Sequence, residues 1–141
     1  PKNNITRVEA LKIILLANKI SPIHDKPSQF QDISTNSWEN TYINAGVENG
    51  ILSLENKLFS PFRSVSRVEA LKLILTLGKV DVSLWEKDMT LQDVKETDWY
   101  YSYVHYAIKN NLIEIKNNTF QPNTPITREE LVAILYKYIQ K

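Results

Sequence analysis

Three hexapeptides nearly repeat one another: ITRVEA at 5–10, VSRVEA at 65–70 and ITREEL at 126–131. In each, a hydroxyl residue (Thr6, Ser66 or Thr127) stands three positions before a glutamate (Glu9, Glu69 or Glu130), the spacing of a helix capping box. The hydroxyl accepts from the third helical amide, the glutamate reaches back to the cap amide, and the cap contributes about 1 kcal/mol. Helix capping is therefore a sufficient use for these six residues. It does not account for Arg7, Arg67 and Arg128, which follow the caps. A cation at the first helical position opposes the helix dipole, at a cost of roughly a few tenths of a kcal/mol. One compensation is an ion pair inside the chain, with Asp32 and Asp93 as candidate partners. The other is an anionic ligand, gripped by the planar guanidinium beside the free N–H groups of a helix start.

Two tryptophans pose a similar choice. Trp38 closes FQDISTNSW at 30–38, and Trp99 closes LQDVKETDW at 91–99, so each follows an aspartate, Asp32 or Asp93, at one spacing. A tryptophan at a helix start commonly packs into a core. Its apolar ring can also take a pyranose face while Arg and Asp take the hydroxyls. The residues alone leave both uses open.

Other chemistry is sparsely represented. The chain has no cysteine, which excludes disulfides, Cys-containing zinc sites and thiol catalysis. His24 lies beside a proline-rich linker and His105 on an expected helix, neither within a catalytic motif. There is no H-E-x-x-H, G-x-S-x-G or phosphate-binding glycine loop, and no metal-ligand spacing. Catalytic residues, metals and cofactors are thus all expected to be absent. A net charge of +1, from 17 basic and 16 acidic side chains, argues against a general nucleic-acid binder. No apolar run approaches the roughly 18 residues of a membrane span, so no membrane insertion is expected. A chain opening at Pro1 without Met reads as a fragment or a processed form.

These residues recur because the chain is a repeat. Asp32 and Asp93, Trp38 and Trp99, Tyr42 and Tyr103, and Phe59 and Phe120 are all 61 positions apart. One domain, 1–141, is expected to hold the second half of a first unit (1–20) and two whole units (28–80 and 89–141). Each unit carries two helices. Helix A starts near Ser37 or Asp98, which are its expected N-caps, and ends at Gly50 or Asn111, types that accept a left-handed C-terminal turn. A short extended or turn segment follows. Helix B then starts at Thr6, Ser66 or Thr127. ALKIILLA at 10–17 and ALKLILTL at 70–77 are apolar nearly all round, so helix B is predicted to be buried on several sides. Three such helices should form the centre with the A helices outside. Leu11, Leu71 and Val132 share one repeat position and are expected to be buried. Trp85, in the 80–92 connection, is expected to be a core anchor. The fold class is mainly all-α.

The ordered series F-x-D, W, a helix ending in NGI, F-x-P and ITRxE resembles the S-layer homology repeat of bacterial surface proteins, over almost the whole chain. The resemblance implies a pseudo-threefold bundle of three repeats. It implies a non-catalytic anchor on the bacterial cell surface, held commonly through a pyruvylated secondary cell-wall polysaccharide in grooves between repeats. By matching position, ligand binding falls on Arg7, Arg67 and Arg128, with Asp32, Asp93, Trp38 and Trp99 as the family's aspartate and tryptophan. A helical-repeat module that binds protein, or direct peptidoglycan binding, are the competing readings. The chain also departs from the family pattern. The loops before F-x-P carry no glycine, Leu91 replaces the aromatic of F-x-D, and Glu129 adds a negative charge beside Arg128. A first helix A, with its Asp and Trp, is absent from the sequence. At most two grooves are then complete, and one side of the bundle is under-covered, predicting self-association or reduced stability.

Overall fold

The computed structural model describes residues 3–83 and 90–141; Trp85 lies outside them. Five helices follow in order: α1 (Arg7–Ala17), α2 (Trp38–Glu48), α3 (Arg67–Leu77), α4 (Tyr101–Lys109) and α5 (Arg128–Ile139). Between them run turns and isolated β-bridges, with no sheet among the described residues. The fold is mainly helical.

Local sequence sets the helix ends. Thr6, Ser66 and Thr127 form complete capping boxes with Glu9, Glu69 and Glu130 at the starts of α1, α3 and α5. Ser37 caps α2 by accepting from the Asn40 amide at 3.3 Å. Asp98 is not an N-cap, against expectation. Its carboxylate accepts from the Lys95 amide at 2.7 Å and its carbonyl from the Tyr101 amide at 3.1 Å. The carboxylate is turned toward the amide upstream of it instead of toward an amide of the helix that follows. Trp99 and Tyr100 therefore precede α4, which has no side-chain cap. At the far ends, Gly50 (φ 76°) and Asn111 (φ 56°) both take the left-handed conformation. The next amides then bond back, Ile51 to Gly46 at 3.0 Å and Leu112 to Ala107 at 2.8 Å.

The apolar circumference of helix B serves two interfaces. On α1, Ala10 and Ile14 join the central cluster with Ala70, Ile74, Leu131 and Leu135. Val8, Leu11 and Leu15 face the other way and form a second cluster with Ile43 and Ala45 of α2 and with Phe30 and Phe59. Thus α1 packs on α2 as well as on α3 and α5, and α3 packs on α4.

Helix α5 breaks this pattern. At the positions of Val8, Leu11 and Leu15 it carries Glu129, Val132 and Tyr136. Leu11 and Leu71 are fully buried, whereas Val132 is 49% exposed and Tyr136 65%. The expectation that Val132 is buried is therefore corrected. Among the described residues, no A-type helix lies against this face of α5.

At the centre, the segments entering the B helices meet in a closed cycle of backbone hydrogen bonds. The Ile5 amide donates to the Ile126 carbonyl at 3.4 Å, Ile126 to Val65 at 2.9 Å, and Val65 to Ile5 at 3.1 Å. All three side chains are buried. This triangle gives the bundle its pseudo-threefold axis.

Candidate functional site

The threefold order extends to the arginines. Arg7 pairs with Glu69 at 3.9 Å, Arg67 with Glu130 at 3.2 Å and Arg128 with Glu9 at 2.7 Å. Each partner is the capping-box glutamate of the next helix B around the axis, not Asp32 or Asp93. Each glutamate therefore serves its own cap and an arginine of another unit, and Glu69 meets Arg63 as well. Glu9 accepts from the Thr6 amide and hydroxyl through Oε1 and from Arg128 through Oε2. Hydrogen bonding from the Thr6 side chain, with its amide and Arg128 adding to it, holds the Glu9 carboxyl below its ordinary pKa. For Glu69, burial pushes the carboxyl up, but the Ser66 amide, Arg63 and Arg7 together outweigh it, and the net shift is downward.

The aspartates act on the backbone. Asp32 accepts from the Phe59 amide at 2.9 Å and the Ser60 amide at 2.7 Å, one bond per oxygen. Asp93 does the same for Phe120 at 2.9 Å and Gln121 at 2.6 Å. Ser60 (φ 57°) and Gln121 (φ 61°) are held left-handed, each just before a proline. A non-glycine residue takes that region at an energetic penalty, which two charge-assisted hydrogen bonds can offset. In the glycine-free loop before Phe120, Asn117 (φ 53°) and Asn118 (φ 59°) supply the left-handed turn.

The clamped turn positions the arginine. Arg7 Nε donates to the Phe59 carbonyl at 3.0 Å, and its guanidinium lies 4.8 Å from the centre of the Phe59 ring. Arg67 repeats this with Phe120 at 3.1 Å and 4.9 Å. Burial lowers the Arg7 pKa, as does Arg63 nearby, yet a guanidinium remains protonated. Arg7 is thus fixed by Nε and one face, with Nη1 3.9 Å from Glu69, and it lines a cleft.

That cleft, of about 260 Å³, is walled by Arg7, Phe59, Ser53, Glu69, Lys72 and Trp99 among others. The two tryptophans are not core residues: Trp38 is 47% exposed and Trp99 55%. Each carries a lysine over its ring, Lys12 at 5.3 Å from Trp38 and Lys72 at 5.1 Å from Trp99. A second cleft, of about 410 Å³, surrounds Arg67, Phe120, Glu130 and Ala133 and has no tryptophan in its wall. Trp38 stands instead by Lys12, on α1 one turn from Glu9, the partner of Arg128. The structure thus separates residues that the sequence joined. The Arg7 cleft combines the turn clamped by Asp32 with Trp99 of the following unit, and among the described clefts it alone has an arginine, a lysine and a tryptophan together. Lys72, in the wall of the Arg7 cleft, and Lys12, over the Trp38 ring, are residues that the arginine motif does not reveal. Their shared repeat position, six residues after each cap, was the available signal.

The two histidines stand apart from these clefts. His105 is buried on α4 against Tyr101, with ring centres 4.2 Å apart, and His24 is exposed in the connection before α2. Among the described residues no group of three or more His, Cys, Asp or Glu could hold a metal ion. No described helix is long and apolar enough to cross a membrane.

The sequence is similar to known proteins over this same framework. A family model described as the S-layer homology domain matches residues 29–71 and 91–132. The exoglucanase XynX of Acetivibrio thermocellus is 30% identical over 122 residues, which is 86% of this chain and 11% of that protein. The surface-layer 125 kDa protein of Lysinibacillus sphaericus is 29% identical over 126 residues, 86% of this chain and 10% of that one. A cellulosome-anchoring protein of Acetivibrio thermocellus is 27% identical over 150 residues, covering 100% of this chain and 33% of the relative. The chain therefore spans about a tenth to a third of the length of these relatives.

Proposed function

The chain belongs to the S-layer homology family, and from that we propose that it is a non-catalytic module anchoring a larger protein at the bacterial cell surface. Its ligand is an anionic secondary cell-wall polysaccharide, with pyruvyl groups as the source of charge. Arg7 takes the carboxylate, Trp99 takes a sugar face, and Lys72 adds a cation between them. Asp32 serves by holding the turn that aims Arg7. Arg67 with Asp93, and Arg128 with Trp38, form partial versions of the same site. The observation that carries this reading is an exposed tryptophan sharing one cleft with an arginine fixed by a clamped backbone turn. A hydrophobic ring beside a fixed cation suits an acidic sugar, which has an apolar face and a carboxylate.

The test is sedimentation with purified cell-wall sacculi, intact or stripped of polysaccharide by acid. Binding to intact sacculi alone is expected. Equal binding to both preparations would favour peptidoglycan as the ligand, and binding to neither would remove the anchoring assignment.

The exposed strip of α5 carries a separate proposal, pairing with α5 of a second copy. The A helices within a copy are already packed on α1 and α3, so among the described residues the outer face of α5 is the helix face that each copy leaves uncovered. A two-fold axis places the same strip on both sides.

A further inference from the structure

The three arginine–glutamate pairs are not equally tight, and the difference has a visible cause. Arg128 and Glu9 are 2.7 Å apart, Arg67 and Glu130 3.2 Å, and Arg7 and Glu69 3.9 Å. Among the described residues only Glu69 of the three has a competing cation: Arg63 donates to its Oε1 at 2.9 Å. The repeat places Thr124 at the position of Arg63 in the Arg67 cleft, and Asn3 at that position beside Arg128. Neither carries a charge, so Glu130 and Glu9 close on their arginines undisturbed.

We infer that Arg63 is a positioning and specificity residue that arms the Arg7 cleft for anions. Arg63 draws the Glu69 carboxylate aside, and the terminal nitrogens of Arg7 are left for a ligand carboxylate. Without it, Glu69 would occupy that fork, as Glu130 does for Arg67. The charge around the two clefts agrees. The Arg7 cleft and the cavity continuous with it around Arg63 bring together Arg7, Lys57, Arg63 and Lys72 against Glu69. The repeat replaces Lys57, Arg63 and Lys72 with Asn118, Thr124 and Ala133, and the Arg67 cleft sets Arg67, Lys116 and Lys137 against Glu114 and Glu130. The Arg7 side thus gathers four cations against one carboxylate, and the Arg67 cleft three against two, so the first is the more strongly biased toward anions. A carboxylate-bearing glycan segment is the class of ligand this bias selects. The inference rests on the anchoring reading.

Two measurements on the full chain test it. In sedimentation with intact sacculi, Arg63→Thr is expected to weaken binding about tenfold and to flatten its salt dependence, with Arg63→Lys retaining most of both. Thr124→Arg should strengthen binding by loosening Glu130 from Arg67. In nitrogen-labelled arginine spectra, sodium acetate should shift the Arg7 side-chain signal at lower concentration in the wild type than in Arg63→Thr. If Arg63→Thr, folded as judged by its unfolding midpoint, binds sacculi and acetate as the wild type does, the inference is overturned while the anchoring reading stands. Wild-type protein that ignores sacculi overturns both.

Discussion

Arg128 Nη2 donates to Glu9 Oε2 over 2.7 Å, joining residues 119 positions apart. The bond links the last helix B to the first through the same carboxylate that caps α1. Glu9→Gln should therefore lose part of a cap and an ion pair together, about 1–2 kcal/mol in urea unfolding. Arg128→Ala should lose less than about 1 kcal/mol, because both side chains are partly exposed. A double-mutant cycle with no coupling would mean that the bond does not hold the ends of the bundle together.

Stability should fall in acid. Glu9 and Glu69 have folded-state pKa values held below the ordinary carboxyl value. A depressed carboxyl contributes stability that is present above its unfolded pKa, about 4.3, and is lost as pH falls through the folded value. The unfolding midpoint should be flat from neutral pH to about 5 and drop below about 4. Replacing both residues with Gln should shrink that drop, as followed by circular dichroism across the pH series.

The buried and uncovered versions of one repeat position should differ sharply. Leu71→Ala removes a fully buried side chain and should cost roughly 2–5 kcal/mol. Val132→Ala, at a half-exposed site, should cost less than about 1 kcal/mol. Comparable losses in denaturant titration would mean that the outer face of α5 is covered in solution. Should α5 pair with a second copy, Tyr136→Ser would lower the apparent mass in sedimentation equilibrium.

The two tryptophans should contribute unequally to wall binding. Trp99 shares a cleft with Arg7 and Lys72, whereas Trp38 does not. Trp99→Ala should weaken binding to sacculi by about tenfold or more, and Trp38→Ala by clearly less. Equal effects would point to two equivalent sites.

Asp32→Asn tests whether a residue can serve the ligand through the backbone. An amide cannot replace a carboxylate that accepts from two successive N–H groups. The Phe59–Ser60 turn should loosen, at about 1–3 kcal/mol, and wall binding should weaken although Arg7 is intact. Unchanged binding would separate the clamp from the site.

Much of this was legible in the residues, for identifiable reasons. Capping boxes and left-handed helix ends are local, so Thr6-x-x-Glu9 and Gly50 could be read directly. The double-sided burial of helix B followed from its uninterrupted apolar circumference. Asp98 misled because an aspartate can bond upstream or downstream, and sequence does not say which. Val132 misled because burial belongs to the neighbour as much as to the residue, although Glu129 and Tyr136 at flanking positions already marked that face as polar. Pairing each arginine with a glutamate of the next unit was hidden for a different reason: repeat arithmetic gives equivalence between positions, not adjacency in space.

The closed triangle of Ile5, Ile126 and Val65 sets this fold apart from an open array of repeats. In a linear array each unit meets only its sequence neighbours, so units can fold one at a time and can be added or removed. Here the first and last units bond directly, and the entropy of closing nearly the whole chain must be met before the cycle exists. High separation between contacting residues slows folding. During synthesis, α1 cannot reach its final surroundings until residue 126 and the helix behind it have emerged. The domain should therefore assemble late and as one cooperative unit, and removing α5 should release both ends of the cycle rather than shorten a stack by one.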